Sequence, residues 1–244
     1  MGSNHEFSWS GCRATQHLPL LDGVQLDSLL TLCYTDPAMI AIIDYGAGNL
    51  RSVAKAFDYL GYRAQVTQAP DEILEAKAVV LPGQGAAGDT MAGLRALDLV
   101  EPIRTAVGRG KPFFGVCVGL QILLTGSEEG GWQECFGLIP GVVRRLPPGL
   151  KIPHMGWNQV RQKTQHPLFQ GIPNETNFYF VHSYYALPES QGVVAGETDY
   201  GISFCSVLIK GNVVATQFHP EKSGEVGLRL YDNFCAWSGI RRGG

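Results

Sequence analysis

The sequence predicts an α/β fold with a mostly parallel central sheet, helices on both faces, and an antiparallel portion added in the second half. Three observations predict it. Between Ile40 and Val116, short apolar runs alternate with helix-length stretches, as βαβ units require when their strands are buried on both faces. Beyond Phe136 the texture changes to short, turn-rich, strand-like pieces. A final amphipathic stretch over residues 225–237, with Val226, Leu230, Tyr231 and Phe234 on one face, supplies a closing helix. A chain of 244 residues fits one large domain of this kind, and no internal repeat, low-complexity tract or linker divides it.

Residues 1–38 read as an N-terminal extension, a tag or appendage, ahead of a domain over 39–240. Its opening is polar, and Arg13 alone supplies positive charge, which argues against a signal peptide. Leu26, Leu29, Leu30 and Cys33 allow one short helix, which Pro37 would end. The domain opens with an apolar strand at 40–43, a glycine-rich loop at 44–49 and a helix at 50–60. Strands follow at 63–67 and 76–81, the second running into the loop Pro82-Gly-Gln-Gly-Ala-Ala-Gly88. A helix at 98–107 tolerates Pro102 because it falls in the first turn. The run 112–116 is a buried strand ending at Cys117, and 120–124 reads as the start of a helix. In the second half, strands are expected at 136–140, 142–143, 155–160, 178–181, 193–195, 204–209 and 213–217. Lys210-Gly-Asn212 makes a hairpin turn between the last two.

Bulk chemistry narrows the function classes. Charged residues make up 17% of the chain and the net charge is −3, with no basic surplus for nucleic acid. The six cysteines are scattered, without C-x-x-C pairs or zinc spacing, so reduced thiols in a cytoplasmic setting are expected, with no metal and no cofactor. No apolar run reaches the roughly 18 residues that a membrane span needs.

Chemistry concentrates at Cys117. Gly115 and Gly119 flank it and clear the space for a sharp strand-to-helix turn, which lifts the thiol to a helix N-terminus where backbone N–H groups favour an anion. Taken alone, the stretch fits a small buried cysteine at the end of a core strand better than a nucleophile. Gln217-Phe-His-Pro-Glu221 weighs against that. It follows an apolar strand, and side chains two apart on extended chain share a face. Glu221 is therefore placed to orient His219, and His219 to act as base for the Cys117 thiol. The loop around Gln84 is a candidate oxyanion hole, and His182-Ser-Tyr184 is a second polar cluster at a strand end.

In this order the motifs resemble the class I (triad) glutamine amidotransferases: Gly115-Val-Cys-Val-Gly-Leu-Gln121 first, then Gln217-Phe-His-Pro-Glu221 about a hundred residues later. Within that class, the stretches 44–49, 153–158 and 182–184 are similar to the glutaminase subunits of imidazole glycerol phosphate synthase. The resemblance runs from Met39 to about Trp237. It implies a three-layer, flavodoxin-like class I glutaminase fold, with Cys117, His219 and Glu221 as catalytic triad. It implies an oxyanion hole at Gly83, Gln84, Gly85 and Val118, with a peptide there rotating to present its N–H. Glutamine would be bound by Gln121, His182, Ser183 and Tyr184, and Asn49, Trp157 and Lys222 would face a partner. That partner would be a (β/α)8-barrel cyclase in a heterodimer that serves histidine biosynthesis. Two departures are noted: Gln84 stands where the family usually carries valine, and Ala87 replaces an aromatic. Two rival readings stay open, a glutaminase for another synthase and a subunit that keeps the fold without the chemistry.

Overall fold

The computed structural model describes residues 39–243 apart from Ala47. The extension 1–38, with its expected short helix, lies outside the described residues.

The first half lays down strands β1 (Ile40–Ile43), β2 (Ala64–Thr67), β3 (Ala78–Leu81) and β4 (Phe113–Val116) in parallel, in the spatial order β2-β1-β3-β4. Apart from β2 these strands are buried along their whole length, which is why they read as unbroken apolar runs. Helices α1 (Leu50–Tyr59), α2 (Pro70–Glu75), α3 (Ala87–Ala96) and α4 (Val100–Gly108) make the crossovers. Pro102 does lie in the first turn of α4. The sequence reading missed α2 and α3. Pro70 at the start of α2, with Asp71 and Glu72 in its first turn, is a start signal that was passed over. Glycines 88 and 93 hide α3 by lowering its helix propensity. Gly93 has a packing reason, since a Cβ there would lie 2.7 Å from the Tyr45 carbonyl oxygen.

The expected helix at 120–124 is corrected. Helix α5 is a single turn, Val118–Gln121, and the chain returns to the sheet as β5 (Leu124–Ser127) beside β6 (Gln133–Glu134) and β7 (Ile139–Arg145). The apolar run that suggested a helix is buried throughout, and periodicity does not separate strand from helix in such a run. Beyond it come β8 (His154–Gln162), β9 (Thr176–His182), β10 (Tyr184–Pro188), β11 (Val194–Asp199), β12 (Ser203–Lys210) and β13 (Val213–Thr216). Strand β10 was also missed, because Ser183 alone separates it from β9. The turn after Lys210 forms as expected, with Lys210 paired to Val213 and Gly211 at φ +57°. The second half is largely antiparallel, but β13 turns back to lie parallel to β4 and so joins the two halves.

Helices cover both faces of the sheet. Helix α6 (Gly224–Trp237) packs beside α1, where the Tyr231 ring lies 4.7 Å from Phe57 and 5.3 Å from Phe114. One consequence of this topology governs the site. The carboxyl ends of β1, β3, β4 and β13 sit side by side, the place where open α/β sheets gather their ligands.

Candidate active site

Cys117 follows β4 with φ 55° and ψ −108°, a conformation that costs a residue with a Cβ about 1–3 kcal/mol. Close packing of glycines holds it there. A Cβ on Gly115 would lie 2.6 Å from the Gly119 oxygen, and one on Gly119 would lie 2.2 Å from the Leu81 oxygen. Gly83, just after β3, is a third member, since its Cβ would come within 2.3 Å of the Gly119 nitrogen. The Cys117 N–H donates to the Thr216 carbonyl at 2.7 Å, fastening the elbow to β13. Because α5 is one turn long, its dipole is smaller than the sequence reading implied.

The β4–β13 register, Val116 against Thr216, brings Gln217 beside Cys117 and carries His219 to the same sheet end. The His219 N–H donates to the Tyr179 carbonyl at 3.0 Å, and the Ser223 hydroxyl donates to the His219 carbonyl at 2.7 Å, so the histidine backbone is pinned to β9. The His219 Nδ1–H donates to Glu221 Oε1 at 2.8 Å, with both side chains buried. Glu221 Oε1 also accepts from the Asn49 amide, and Oε2 accepts from the Tyr231 hydroxyl at 3.3 Å. Burial works against the charge on Glu221, but the contacts from His219 and Asn49 outweigh it and hold the carboxyl below its usual range. Burial also works against the His219 imidazolium, yet hydrogen bonds to Cys117 and Glu221 push its pKa up to about 9. Histidine and glutamate thus form a buried hydrogen-bonded pair, and Cys117 lines the same cleft as His219.

That cleft, of about 240 Å³, opens over the pair. Gly83, Gln84, Gly85, Val118, Gln121, His182, Ser183, Tyr184 and Lys222 all line it with Cys117 and His219, which gathers the residues predicted for the oxyanion hole and for substrate. The His182 ring is committed internally. Its Nδ1–H donates to the Tyr184 carbonyl at 2.9 Å, its Nε2 accepts from His154 Nδ1–H at 3.0 Å, and His154 Nε2 accepts from the Asn158 amide at 3.3 Å. Burial keeps both rings neutral, lowering His182 to about 3 and His154 to about 4. At the oxyanion loop the Gln84 N–H donates to the Tyr45 hydroxyl at 3.2 Å, so that donor is occupied. Burial raises the pKa of Tyr45, which keeps its hydroxyl neutral.

The three residues expected at a partner face separate. Trp157 is 58% exposed and shares a face of β8 with Met155 at 60%. Lys222 is exposed at the cleft. Asn49 is buried, with its side-chain amide on Glu221. Sequence reasoning gave no role to Gln217, Ser223, Tyr231, Glu129 or Val181. Gln217 stood inside a quoted motif, whereas Glu129 reaches the cleft from the loop after β5, with its carboxylate accepting the Ala87 N–H at 3.0 Å. Ala87, where an aromatic was expected, is fully buried at the start of α3.

The family described as glutamine amidotransferase class-I matches residues 41–236. Among relatives, "Imidazole glycerol phosphate synthase subunit HisH" of Dehalococcoides mccartyi strain CBDB1 is 57% identical over 196 residues, covering 80% of this chain and 96% of the relative. The protein of the same name from Moorella thermoacetica is 54% identical over 195 residues, covering 80% and 93%. Of solved structures, one titled "Crystal structure of glutamine amidotransferase" superposes with TM-score 0.64 at 21% identity over 82% of this chain and 99% of that one. "Structure of PurLQS from Thermotoga maritima" gives 0.66 at 19% identity, covering 82% and 99%. At those identities the structures speak for the fold alone.

Proposed function

The chain belongs to the class I glutamine amidotransferases, and from that membership we propose that it is the glutaminase subunit of an imidazole glycerol phosphate synthase. The observation that carries the chemistry is the buried pair Glu221–His219, with Cys117 beside His219 in a cleft walled by Gln121, Ser183 and Tyr184. The choice of synthase is supported by relatives above 50% identity that carry that name.

Glutamine enters the cleft with its side-chain amide over Cys117. The sulfur attacks the amide carbon, a C–S bond forms, and the carbonyl π pair moves onto oxygen. Backbone N–H groups of Val118 and of the Gly83–Gln84–Gly85 loop receive that oxyanion, and one such donor is typically worth about 10²–10³ in rate. Because Tyr45 holds the Gln84 N–H, that peptide must rotate before it serves. The His219 imidazolium, fixed in tautomer by Glu221, gives its proton to the departing nitrogen as the C–N bond breaks, and ammonia leaves a glutamyl thioester. Neutral His219 then takes a proton from water, whose oxygen displaces the sulfur and releases glutamate. The Glu129 carboxylate gives the cleft the charge that complements the α-ammonium of glutamine, opposite the wall formed by Gln121, His182, Ser183 and Tyr184.

Ammonia freed into neutral water is protonated and loses its nucleophilicity, so a partner must take it directly. We assign that role to a (β/α)8-barrel cyclase, which combines ammonia with a phosphoribulosyl-formimino aminoimidazole ribonucleotide. Its products are imidazole glycerol phosphate and aminoimidazole carboxamide ribotide. The exposed pair Met155 and Trp157, with Lys222 at the cleft, is the proposed docking face, and Asn49 supports it from beneath. The proposal includes neither nucleic acid nor membrane, and it places the heterodimer in the cytoplasm. No helix among the described residues is long and apolar enough to cross a membrane. The test is transfer of ¹⁵N from amide-labelled glutamine into imidazole glycerol phosphate by the reconstituted pair. Cys117→Ala should abolish transfer and keep synthesis from added ammonia; transfer that survives the substitution defeats the assignment.

A further inference from the structure

Besides His219, a second polar side chain reaches the Cys117 sulfur. Gln217 is wholly buried, and its Nε2 donates to Sγ across 3.7 Å. An amide can turn either end to a neighbour, and here the surroundings decide which. The Gln121 Nε2 group donates to the Tyr184 carbonyl at 2.8 Å and to Gln217 Oε1 at 3.1 Å. With its oxygen end already accepting from Gln121, Gln217 presents its NH₂ end to the sulfur. On another side of the sulfur the Val181 carbonyl accepts at 3.9 Å, a partner suited to the thiol form alone. Once the proton passes to His219, the sulfur is an acceptor and has no further use for a carbonyl. A buried anion without a donor is costly, and Gln217 is the side-chain amide placed to supply one.

We propose that Gln217 is a positioning residue for glutamine hydrolysis: it donates to the Cys117 thiolate and holds the sulfur toward the cleft, with its own amide oriented by Gln121. This rests on the reading of Cys117 as nucleophile. It also gives Gln121 a second duty, because the side chain that walls the glutamine cleft is the one that fixes the amide on the nucleophile.

The test uses the complex with its cyclase and two variants, Gln217→Met, which keeps bulk and removes the donor, and Gln217→Glu, which keeps shape and replaces the donor by an acidic group. Three quantities are read: kcat and KM for glutamine, the pH–rate profile of Cys117 alkylation by iodoacetamide, and thermal unfolding. Gln217→Met should lower kcat roughly tenfold with KM unchanged, and should displace the alkylation profile to higher pH. Gln217→Glu should displace it further. A purely structural glutamine would lower the unfolding temperature and leave the alkylation profile of the folded protein where it was, and that result overturns the proposal. If neither variant folds, the wild type still decides. Selectively labelled Gln217 side-chain NH₂ resonances should move as Cys117 titrates and stay fixed in Cys117→Ala, and stationary resonances in the wild type refute the contact. Full glutaminase activity in Cys117→Ala would instead bring down the nucleophile reading itself, a separate outcome.

Discussion

Replacing Tyr45 with Phe removes one hydroxyl and keeps the ring that packs beside Gly93. The hydroxyl accepts the Gln84 N–H at 3.2 Å, at the loop proposed to receive the oxyanion. Rotating the Gln84 peptide toward the cleft breaks that bond, so Tyr45 stabilises the resting orientation by the net worth of one neutral hydrogen bond, about 0.5–1.5 kcal/mol. Because each 1.36 kcal/mol is a factor of ten in rate, Tyr45→Phe should raise glutamine hydrolysis by the chain without its cyclase roughly twofold to tenfold. If the liganded cyclase turns the peptide, as proposed, the stimulated rate should change much less. The stimulation ratio therefore falls. The assay is glutamate release coupled to glutamate dehydrogenase, run with and without the partner, on protein whose thermal unfolding matches the wild type. An unstimulated rate that stays level or drops in such protein refutes the latch.

Glu221→Gln removes one of the two contacts that lift His219 to about 9. Activity should fall by about 10²–10⁴, the usual worth of a positioned acid–base group. The alkaline limb of kcat/KM should move to lower pH, because Glu221 is one of the groups that raise His219; a limb that stays in place would detach Glu221 from His219. His154 and His182 are neutral in the fold with values of about 4 and about 3 against 6.5 for an unperturbed histidine, so between these limits the unfolded chain binds more protons. Stability from this pair is therefore complete above about pH 6.5 and drains away on acidification toward 4, and His154→Gln should flatten the pH dependence of the unfolding midpoint. Gly83→Ala puts a Cβ 2.3 Å from the Gly119 nitrogen. It should destabilise the domain by about 1–3 kcal/mol through forced backbone movement and abolish alkylation-competent Cys117, whereas a stable, active variant would show the elbow to be less tightly held.

The parallel half of the sheet was legible because β1, β3 and β4 are buried on both faces and its turns carry glycine. The same uniform burial made 120–124 ambiguous, so the helix that ends at Gln121 was expected to run on into the start of β5. The pairing of His219 with Glu221 was legible from the His-Pro-Glu pattern after an apolar strand, although Pro220–Lys222 is a 3-10 turn and not extended chain. The cleft residues followed from the resemblance. Gln217, Tyr231 and Ser223 were not legible, since Gln217 and Ser223 meet Cys117 and Tyr179 across long sequence separations, and Tyr231 reaches Glu221 only through the docking of α6. A glutamine in an apolar strand, a tyrosine on a helix face and a serine before a helix are each ordinary in sequence. Only the β4–β13 register and the docking of α6 bring Gln217 to Cys117, Tyr231 to Glu221 and Ser223 to the His219 carbonyl and the Tyr179 N–H.

The loop over 44–49 shows what neither the pattern nor the fold alone conveys. Tyr45 near its start holds the Gln84 N–H, and Asn49 at its end holds Glu221, so one short segment touches both the oxyanion loop and the triad. Gln84 meets it again through its side chain, since a Cβ on Gly48 would lie 2.9 Å from Oε1. Asn49 precedes α1 without capping it, and its side-chain NH₂ donates to the carboxylate. On the proposed docking face, a partner that presses on this loop would act on the proposed acyl-transfer machinery at two points, with buried Asn49 as one of them. The two contacts should then be coupled: in a double-mutant cycle of Tyr45→Phe and Asn49→Ala, the effects on cyclase stimulation should depart from additivity by at least about 0.5 kcal/mol. Strict additivity would mean that the loop is only a scaffold carrying two independent hydrogen bonds.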